Sequence, residues 1–307
     1  MTASISALSL PPEKSRIGAP DWSRDGRDWP NRENSHFISA NGLRVHVQIA
    51  GAGPAFLLLH GTGAATHSWR DLLPLLAEKY TVIAPDLPGH GFSARPDEAG
   101  MTITGMSATI AALLTQLGQK PEFCAGHSAG AAILVNMILA GQIAPKTLIS
   151  LNGALLPLKH AVSPLIAPLA KMFARSPLVP FLFSMHAADP RVVDRLLRGT
   201  GSDIDADGAK FYARLAARSV HAGAALTMMA NWDLPALLPR LKDVSTPTLL
   251  IAGGNDKTIS PDEATQVAKM LPNATVRILA GLGHLAHEEQ PEDLAKIIED
   301  FCEEHAA

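Results

Sequence analysis

The fold is decided by residues 122–140, which read EFCAGHSAGAAILVNMILA. Residues 122–125, which are apolar after Glu122, are followed by the motif GHSAG at 126–130 and by an uncharged segment that continues to Ala140. This order predicts a strand, a sharp turn and a buried helix. The glycines permit the turn, and Ser128 at its tip would project from the carboxyl edge of a sheet.

Short apolar strands alternate with helices along the rest of the chain. Residues 36–49 alternate polar and apolar positions around Asn41-Gly42, which predicts a β-hairpin. The other predicted strands are 55–59, 81–84, 122–125, 147–151, 248–252 and 275–279, and the predicted helices include 103–117, 129–140, 261–270 and one that begins at Pro291. Such alternation implies an α/β fold with an eight-stranded, mostly parallel sheet, helices on both faces and the hairpin at one edge.

The alternation breaks between the strands at 147–151 and 248–252. The intervening sequence has helical patterning interrupted by prolines, and it predicts an inserted helical cap over residues 153–240. The core then comprises residues 35–152 and 241–307. Residues 1–34 predict an irregular N-terminal extension, and this extension contains two of the four tryptophans, Trp22 and Trp29.

Three residues near the ends of predicted strands are suited to nucleophilic catalysis. Ser128 lies in the turn, Asp256 follows the strand at 248–252, and His284 follows the strand at 275–279. A serine hydroxyl needs a base to take its proton, and the base needs an acceptor on its other nitrogen. We therefore predict Ser128 as the nucleophile, His284 as its base and Asp256 as the residue that orients the base.

The segment HGTG at 60–63 ends an earlier strand. We predict that the Thr62 backbone N–H is one donor to a developing oxyanion and that the Ala129 N–H, directly after the serine, is the second. Ordinary turn chemistry is the plainer explanation of these glycines. A nucleotide-binding loop is a poor alternative because the third glycine is missing and position 66 is threonine.

These motifs together resemble the α/β-hydrolase superfamily over roughly residues 35–305. The resemblance rests on His60-Gly61, the segment DLPGHG at 86–91, the GHSAG turn, Asp256 and His284. It implies a serine hydrolase whose chemistry needs no metal and no organic cofactor. Serine at position 128 argues against the haloalkane dehalogenases and epoxide hydrolases of this superfamily, which use an aspartate there.

Two further segments resemble the magnesium-chelatase accessory proteins of bacteriochlorophyll biosynthesis. They are the segments DW at 21–22 with DGRDWPNRE at 25–33, and GTGAATHSWR at 61–70. The resemblance implies a place in magnesium-porphyrin metabolism and magnesium chelatase as a partner. It does not identify the reaction.

The cap sequence predicts a lid over an apolar site, spanning residues 155–185. No aspartate or glutamate occurs from Cys124 to Ala188, whereas Lys159, Lys171 and Arg175 are basic. The residues expected to contact a substrate are His60, Gly61, His127, Leu155, Met172 and Phe173. A flat, carboxylated tetrapyrrole fits an apolar site with a basic rim, and so do fatty acyl esters or the membrane surface. Simple packing of the cap on the core is the plainer alternative.

The composition excludes several other functions. A net charge of −3 gives no argument for nucleic-acid binding. Two cysteines are too few for a disulfide framework, and no Cys/His spacing resembles a zinc site. The N-terminus lacks the basic region of a signal peptide, so we expect a cytoplasmic protein, with peripheral membrane contact as a further option.

Three functions remain open on the sequence. The first is hydrolysis of an ester-like bond in an apolar substrate. The second is an accessory or carrier role, in which the protein binds a tetrapyrrole or the chelatase without turnover. The third is cofactor-free oxidative chemistry with the same three residues.

Overall fold

The computed structural model describes Leu10 and residues 17–157, 176 and 178–306. Within these residues, eight strands form one sheet in the order β1-β2-β4-β3-β5-β6-β7-β8. The strands are β1 (Ser35–Ala40), β2 (Leu43–Ala50), β3 (Ala55–Leu59), β4 (Thr81–Pro85), β5 (Phe123–His127), β6 (Thr147–Leu151), β7 (Thr248–Gly253) and β8 (Ala274–Leu279). The pairs β1–β2 and β2–β4 are antiparallel, and the other pairs are parallel. The predicted sheet, with its hairpin at one edge, is confirmed.

Helices cover both faces of this sheet. In chain order, the α-helices of the described residues are α1 (Trp22–Asp25), α2 (Leu72–Leu76), α3 (Ile103–Leu117), α4 (Ala129–Leu139), α5 (Leu178–His186), α6 (Pro190–Gly199), α7 (Ala206–Ala216), α8 (Ser219–Ala230), α9 (Pro261–Ala268), α10 (Ala286–Glu289) and α11 (Pro291–Glu304). Because side chains alternate along a strand, Leu57 and Leu59 pack with α3 and α4, whereas Phe56 and Leu58 pack with α2 and α11. Helices α5 to α8 follow β6 and precede β7, within the range predicted for the cap.

The uncharged stretch from Cys124 to Pro145 has the length of a membrane span, but it folds as most of β5, the turn and α4. Among the residues that the structure describes, no helix is both long enough and apolar enough to cross a membrane. Burial explains the absence of charged residues from this stretch, because β5 is buried throughout and most of α4 is buried as well.

The N-terminal extension is more regular than predicted over its described part. Helix α1 is capped by Asp21, whose side chain accepts a hydrogen bond from the Arg24 amide at 3.1 Å. The buried Trp29 donates from Nε1 to Thr66 Oγ1 at 2.9 Å and packs edge-on against Phe211 of α7. The described part of the extension therefore packs between the core and the cap.

A buried carboxylate ties this extension to the cap. Asp25 accepts from Arg218 Nη2 at 2.6 Å, from Arg24 Nε at 3.0 Å and from the Asp21 amide at 2.8 Å. Burial alone would raise the pKa of Asp25, but these hydrogen bonds outweigh it and lower the pKa to about 2. Since the folded pKa lies below the usual value of 3.8, the stabilisation is present above that value and is lost as the pH falls toward 2.

Replacing Asp25 by Asn should reduce the free energy of unfolding by about 1–3 kcal/mol, because it removes the charged acceptor. The matched control is Asp28→Asn, whose exposed ion pair with Arg214 should contribute less than about 1 kcal/mol. Urea unfolding at neutral pH measures both variants. The difference between wild type and Asp25→Asn should shrink between about pH 4 and pH 2. Equal losses for the two variants at neutral pH would contradict this account of Asp25.

Candidate active site

Ser128 lies in a strained turn between β5 and α4, with φ 50° and ψ −115°. Two glycines permit the turn because a side chain at either would collide with backbone. A Cβ at Gly126 would lie 2.5 Å from the Ala131 nitrogen, and a Cβ at Gly130 would lie 2.1 Å from the Leu59 carbonyl oxygen. The turn leaves Ser128 partly exposed at the carboxyl edge of the sheet.

His284 and Asp256 form a hydrogen-bonded pair at the same edge. His284 Nδ1 lies 2.7 Å from Asp256 Oδ2, and both side chains are buried. The other carboxylate oxygen, Oδ1, accepts from the backbone amides of Thr258 and Ile259 at 2.7 and 2.9 Å. An ionised carboxylate can only accept, so Nδ1 carries the proton and Nε2 of His284 keeps the lone pair that a base requires.

Asn152 is a member of this site that the sequence did not identify. It follows β6 with a positive φ of 47°, a conformation that asparagine tolerates better than most residues. Its Nδ2 donates to Asp256 Oδ2 at 2.8 Å and to the Gly283 carbonyl at 3.3 Å. Asn152 therefore links the carboxylate to the loop that carries His284. The pair Asn152-Gly153 directly after a strand was the available signal.

His127 links the serine turn to the histidine loop. Its Nε2 donates to the His284 carbonyl at 3.0 Å, and the two rings lie 4.7 Å apart. Burial lowers the pKa of His127 well below its usual value, so the ring is neutral and Nε2 is the protonated nitrogen. The His284–Asp256 pair therefore lies next to His127, the residue that precedes Ser128 in the turn.

The two predicted oxyanion donors, the Thr62 and Ala129 amides, belong to peptide groups whose carbonyl oxygens are held by hydrogen bonds. The Thr62 N–H shares a planar peptide group with the Gly61 carbonyl, which accepts from His60 Nδ1 at 2.8 Å and from the Ala64 amide at 3.2 Å. Fixing the carbonyl oxygen fixes the direction of the N–H on the other side of the plane.

The Ala129 donor is fixed in the same way. Its N–H shares a peptide group with the Ser128 carbonyl, which accepts from the amides of Ala131 and Ala154 at 3.2 and 3.0 Å. Within the described part of the chain, neither the Thr62 nor the Ala129 amide donates to a protein acceptor.

His60 is a scaffold residue, contrary to the expectation that it contacts a substrate. Its Nδ1 donates to the Gly61 carbonyl, and its Nε2 accepts from the Leu87 amide at 2.9 Å. Burial lowers the pKa of His60, which keeps the ring neutral and able to make both bonds. No polar atom of this side chain is left for a ligand.

The other predicted contact residues have mixed placements. Gly61 lies beside Ser128, since a Cβ at position 61 would be 3.0 Å from Ser128 Cβ. Leu155 is buried in the core cluster that packs on α4. Met172 and Phe173 lie outside the described residues, as does most of the predicted lid. Substrate contact by these four residues, and by His127, stays a prediction.

The segment at 86–91 contributes a buried carboxylate that joins parts of the chain near the site. The buried Asp86 accepts from His46 Nδ1 at 2.7 Å, from the Thr66 amide at 2.7 Å and from the Phe92 amide at 2.8 Å. Burial would raise the pKa of Asp86, but His46 and the Phe92 amide together hold it well below its usual value. The carboxylate thereby fastens strand β2 to the segments that contain Thr66 and Phe92.

Residues 56–297 match the family described as "Alpha/beta hydrolase family", and the chain belongs to that family. The fold is also that of an α/β-hydrolase-fold protein from Burkholderia ambifaria, with a TM-score of 0.73 and 21% identity over 86% of this chain and 97% of the other. At that identity the likeness concerns the fold alone.

Two relatives align over most of the chain. The "Magnesium-chelatase 30 kDa subunit" of Rhodobacter capsulatus is 35% identical over 251 residues, which cover 82% of this chain and 87% of the relative. The "2-(acetamidomethylene)succinate hydrolase" of Mesorhizobium japonicum is 27% identical over 281 residues, which cover 88% of this chain and 97% of the relative. The resemblance to the α/β-hydrolase superfamily and to the chelatase-associated proteins is confirmed.

Asn152→Asp should destabilise the protein by about 1–3 kcal/mol, because it removes a donor and places a second carboxylate beside Asp256. Asn152→Gly is the matched control: it tolerates the positive φ and lacks the amide but adds no charge. Urea unfolding at neutral pH should rank wild type above Asn152→Gly, and Asn152→Gly above Asn152→Asp. An Asn152→Asp variant as stable as wild type would refute the role given to this amide.

Proposed function

We propose that the protein is a serine hydrolase that cleaves an ester-like bond in an apolar substrate. One observation supports the proposal: Ser128 in its strained turn, the His284–Asp256 pair and the two peptide groups with fixed carbonyls all follow parallel strands that end at the same sheet edge. Acyl transfer requires a nucleophile, an oriented base and preorganised donors for the oxyanion. Membership of the hydrolase family and the hydrolase among the relatives support the class.

The reaction begins when Ser128 Oγ attacks the substrate carbonyl carbon and gives its proton to His284 Nε2. The carbonyl oxygen becomes an oxyanion and accepts from the Thr62 and Ala129 amides. Asp256 keeps its hydrogen bond to Nδ1–H and stabilises the imidazolium. His284 then protonates the leaving alcohol, which departs and leaves Ser128 acylated. Water repeats the sequence on the acyl-enzyme and releases the acid.

A second candidate is an accessory protein of magnesium chelatase that binds a tetrapyrrole without turnover. It is favoured by the 35% identity to the chelatase subunit. The two segments that resemble such proteins also touch each other here, through Trp29 Nε1 and Thr66 Oγ1 at 2.9 Å. The two segments therefore pack against each other in this fold. Two chance sequence matches would not be expected to lie in contact.

A fluorophosphonate probe should label the wild-type protein at Ser128, and Ser128→Ala should not be labelled. Asp256→Asn should slow labelling by a factor on the order of 10⁴, because the carboxylate no longer holds the base in the correct tautomer. The rate of labelling, followed by mass spectrometry of the modified peptide, tests both expectations.

Titration with protoporphyrin, followed by fluorescence quenching, completes that experiment. Labelling with or without porphyrin binding supports a hydrolase, and binding then identifies a tetrapyrrole as a ligand of the site. Binding without labelling would overturn the hydrolase proposal in favour of the accessory role. Labelling at a residue other than Ser128 would remove Ser128 as the nucleophile.

We also propose that the protein contacts the membrane peripherally through α5. Four apolar residues of this helix are strongly exposed: Leu178, Phe181, Leu182 and Met185, at 58, 51, 54 and 60% exposure. Phe183 and His186 are exposed as well. The opposite face, with Pro180 and Ser184, is buried. An apolar stripe that faces outward fits the boundary between lipid headgroups and acyl chains. Helix α5 has no acidic residue, which suits an anionic lipid surface.

The wild-type protein should co-sediment with vesicles of phosphatidylcholine and phosphatidylglycerol, and Phe181→Glu/Leu182→Glu should not, because charge would have to enter the apolar layer. Leu196→Glu is the matched control, since Leu196 is 52% exposed on α6, outside the stripe. Equal sedimentation of all three proteins would contradict the role of α5.

A further inference from the structure

The buried His221 of α8 joins the cap to two loops of the core. Its Nε2 lies 3.1 Å from the Gly63 carbonyl oxygen, and its Nδ1 lies 3.1 Å from the Gly91 nitrogen. The Gly91 amide can only donate, so Nδ1 accepts and Nε2 carries the proton that is donated to Gly63. Burial lowers the pKa of His221 to about 4, so at neutral pH the ring is neutral and makes both bonds.

Gly63 belongs to the turn that carries the Thr62 amide. The Gly63 carbonyl and the Ala64 N–H form one planar peptide group, and this N–H donates to the Gly61 carbonyl at 3.2 Å. The Gly61 carbonyl in turn shares a peptide group with the Thr62 N–H. Two linked peptide planes therefore lie between the imidazole of His221 and the proposed oxyanion donor.

We infer that His221 is a positioning residue, which sets the direction of the Thr62 N–H through the Gly63–Ala64 peptide group. The inference rests on the proposed serine-hydrolase function. His60 fixes the same turn from the core, and His221 fixes it from the cap. The oxyanion donor is therefore fully oriented only when α8 is docked, which couples the cap to the reaction. Successive hydrogen bonds of this kind also polarise one another.

Other contacts hold α8 in place without His221. Thr62 Oγ1 donates to Met228 Sδ at 3.5 Å, and a Cβ at Gly89 would lie only 2.8 Å from Ala224 Cβ. The helix also packs on α5, where Pro180 approaches Gly223. Substitutions at His221 can therefore alter the turn while the cap remains docked.

Two conservative variants separate the two hydrogen bonds of His221. The side-chain amide introduced by His221→Asn would lie near the position of Nδ1 and could accept from Gly91 only. The longer side chain introduced by His221→Gln would place its amide near the position of Nε2, where it could donate to Gly63 only. His221→Phe removes both bonds and serves as the reference for complete loss.

The first readout is hydrolysis of p-nitrophenyl acetate, with urea unfolding to measure stability. His221→Asn and His221→Phe should lower kcat by about tenfold with little change in KM, because the donor is needed mainly in the transition state. His221→Gln should recover most of that loss. A purely structural histidine would make the Asn and Gln variants equally impaired, or would make kcat follow stability, and either result would overturn the inference.

The second readout is hydrogen exchange at the Ala64 amide, which does not depend on activity. Exchange should be faster in His221→Asn than in wild type, and His221→Gln should restore protection. Equal exchange in all variants would overturn the linked-peptide account. If the wild-type protein does not hydrolyse the ester, the proposed function fails, and the exchange result alone then decides whether His221 orients the turn.

Discussion

The backbone of Ser128 is held at φ 50° and ψ −115°, a conformation that costs a residue with a side chain about 1–3 kcal/mol. Its N–H donates to the Leu151 carbonyl at 2.9 Å, and its carbonyl accepts from the Ala131 and Ala154 amides. These partners come from the end of β6, the first turn of α4 and the loop after β6. The same bonds that hold the serine at the sheet edge also direct the Ala129 N–H, so the proposed nucleophile and one oxyanion donor depend on one constraint.

Three buried histidines hold the loops around that constraint. His60 donates to the Gly61 carbonyl, His127 to the His284 carbonyl and His221 to the Gly63 carbonyl. Burial lowers the pKa of each of the three, which keeps them neutral and makes each a donor from one defined nitrogen. A neutral imidazole is suited to this purpose because it fixes a backbone carbonyl without bringing a charge next to the base.

The sequence was sufficient to predict the sheet, because short apolar runs between turn residues are a local signal of strands. The strands β3 and β6 have the predicted ends, and so does helix α3. The sequence also placed Ser128, Asp256 and His284 at the carboxyl edge of the sheet. The sequence could not identify Asn152, because its partner Asp256 is 104 residues away in the chain. It could not identify the role of His221 either, because the Gly63 carbonyl is 158 residues away. It took His60 for a substrate contact because a histidine beside a glycine turn gives no sign that both ring nitrogens are used by backbone groups.

In the proposed mechanism, the Thr62 and Ala129 amides point at one position beside Ser128. A crystal structure of the protein inhibited by a small phosphonate tests it most directly. The account predicts phosphorus bonded to Ser128 Oγ and a phosphoryl oxygen about 2.7–3.1 Å from both amide nitrogens. A phosphoryl oxygen directed away from either amide, or an adduct on another residue, would contradict it.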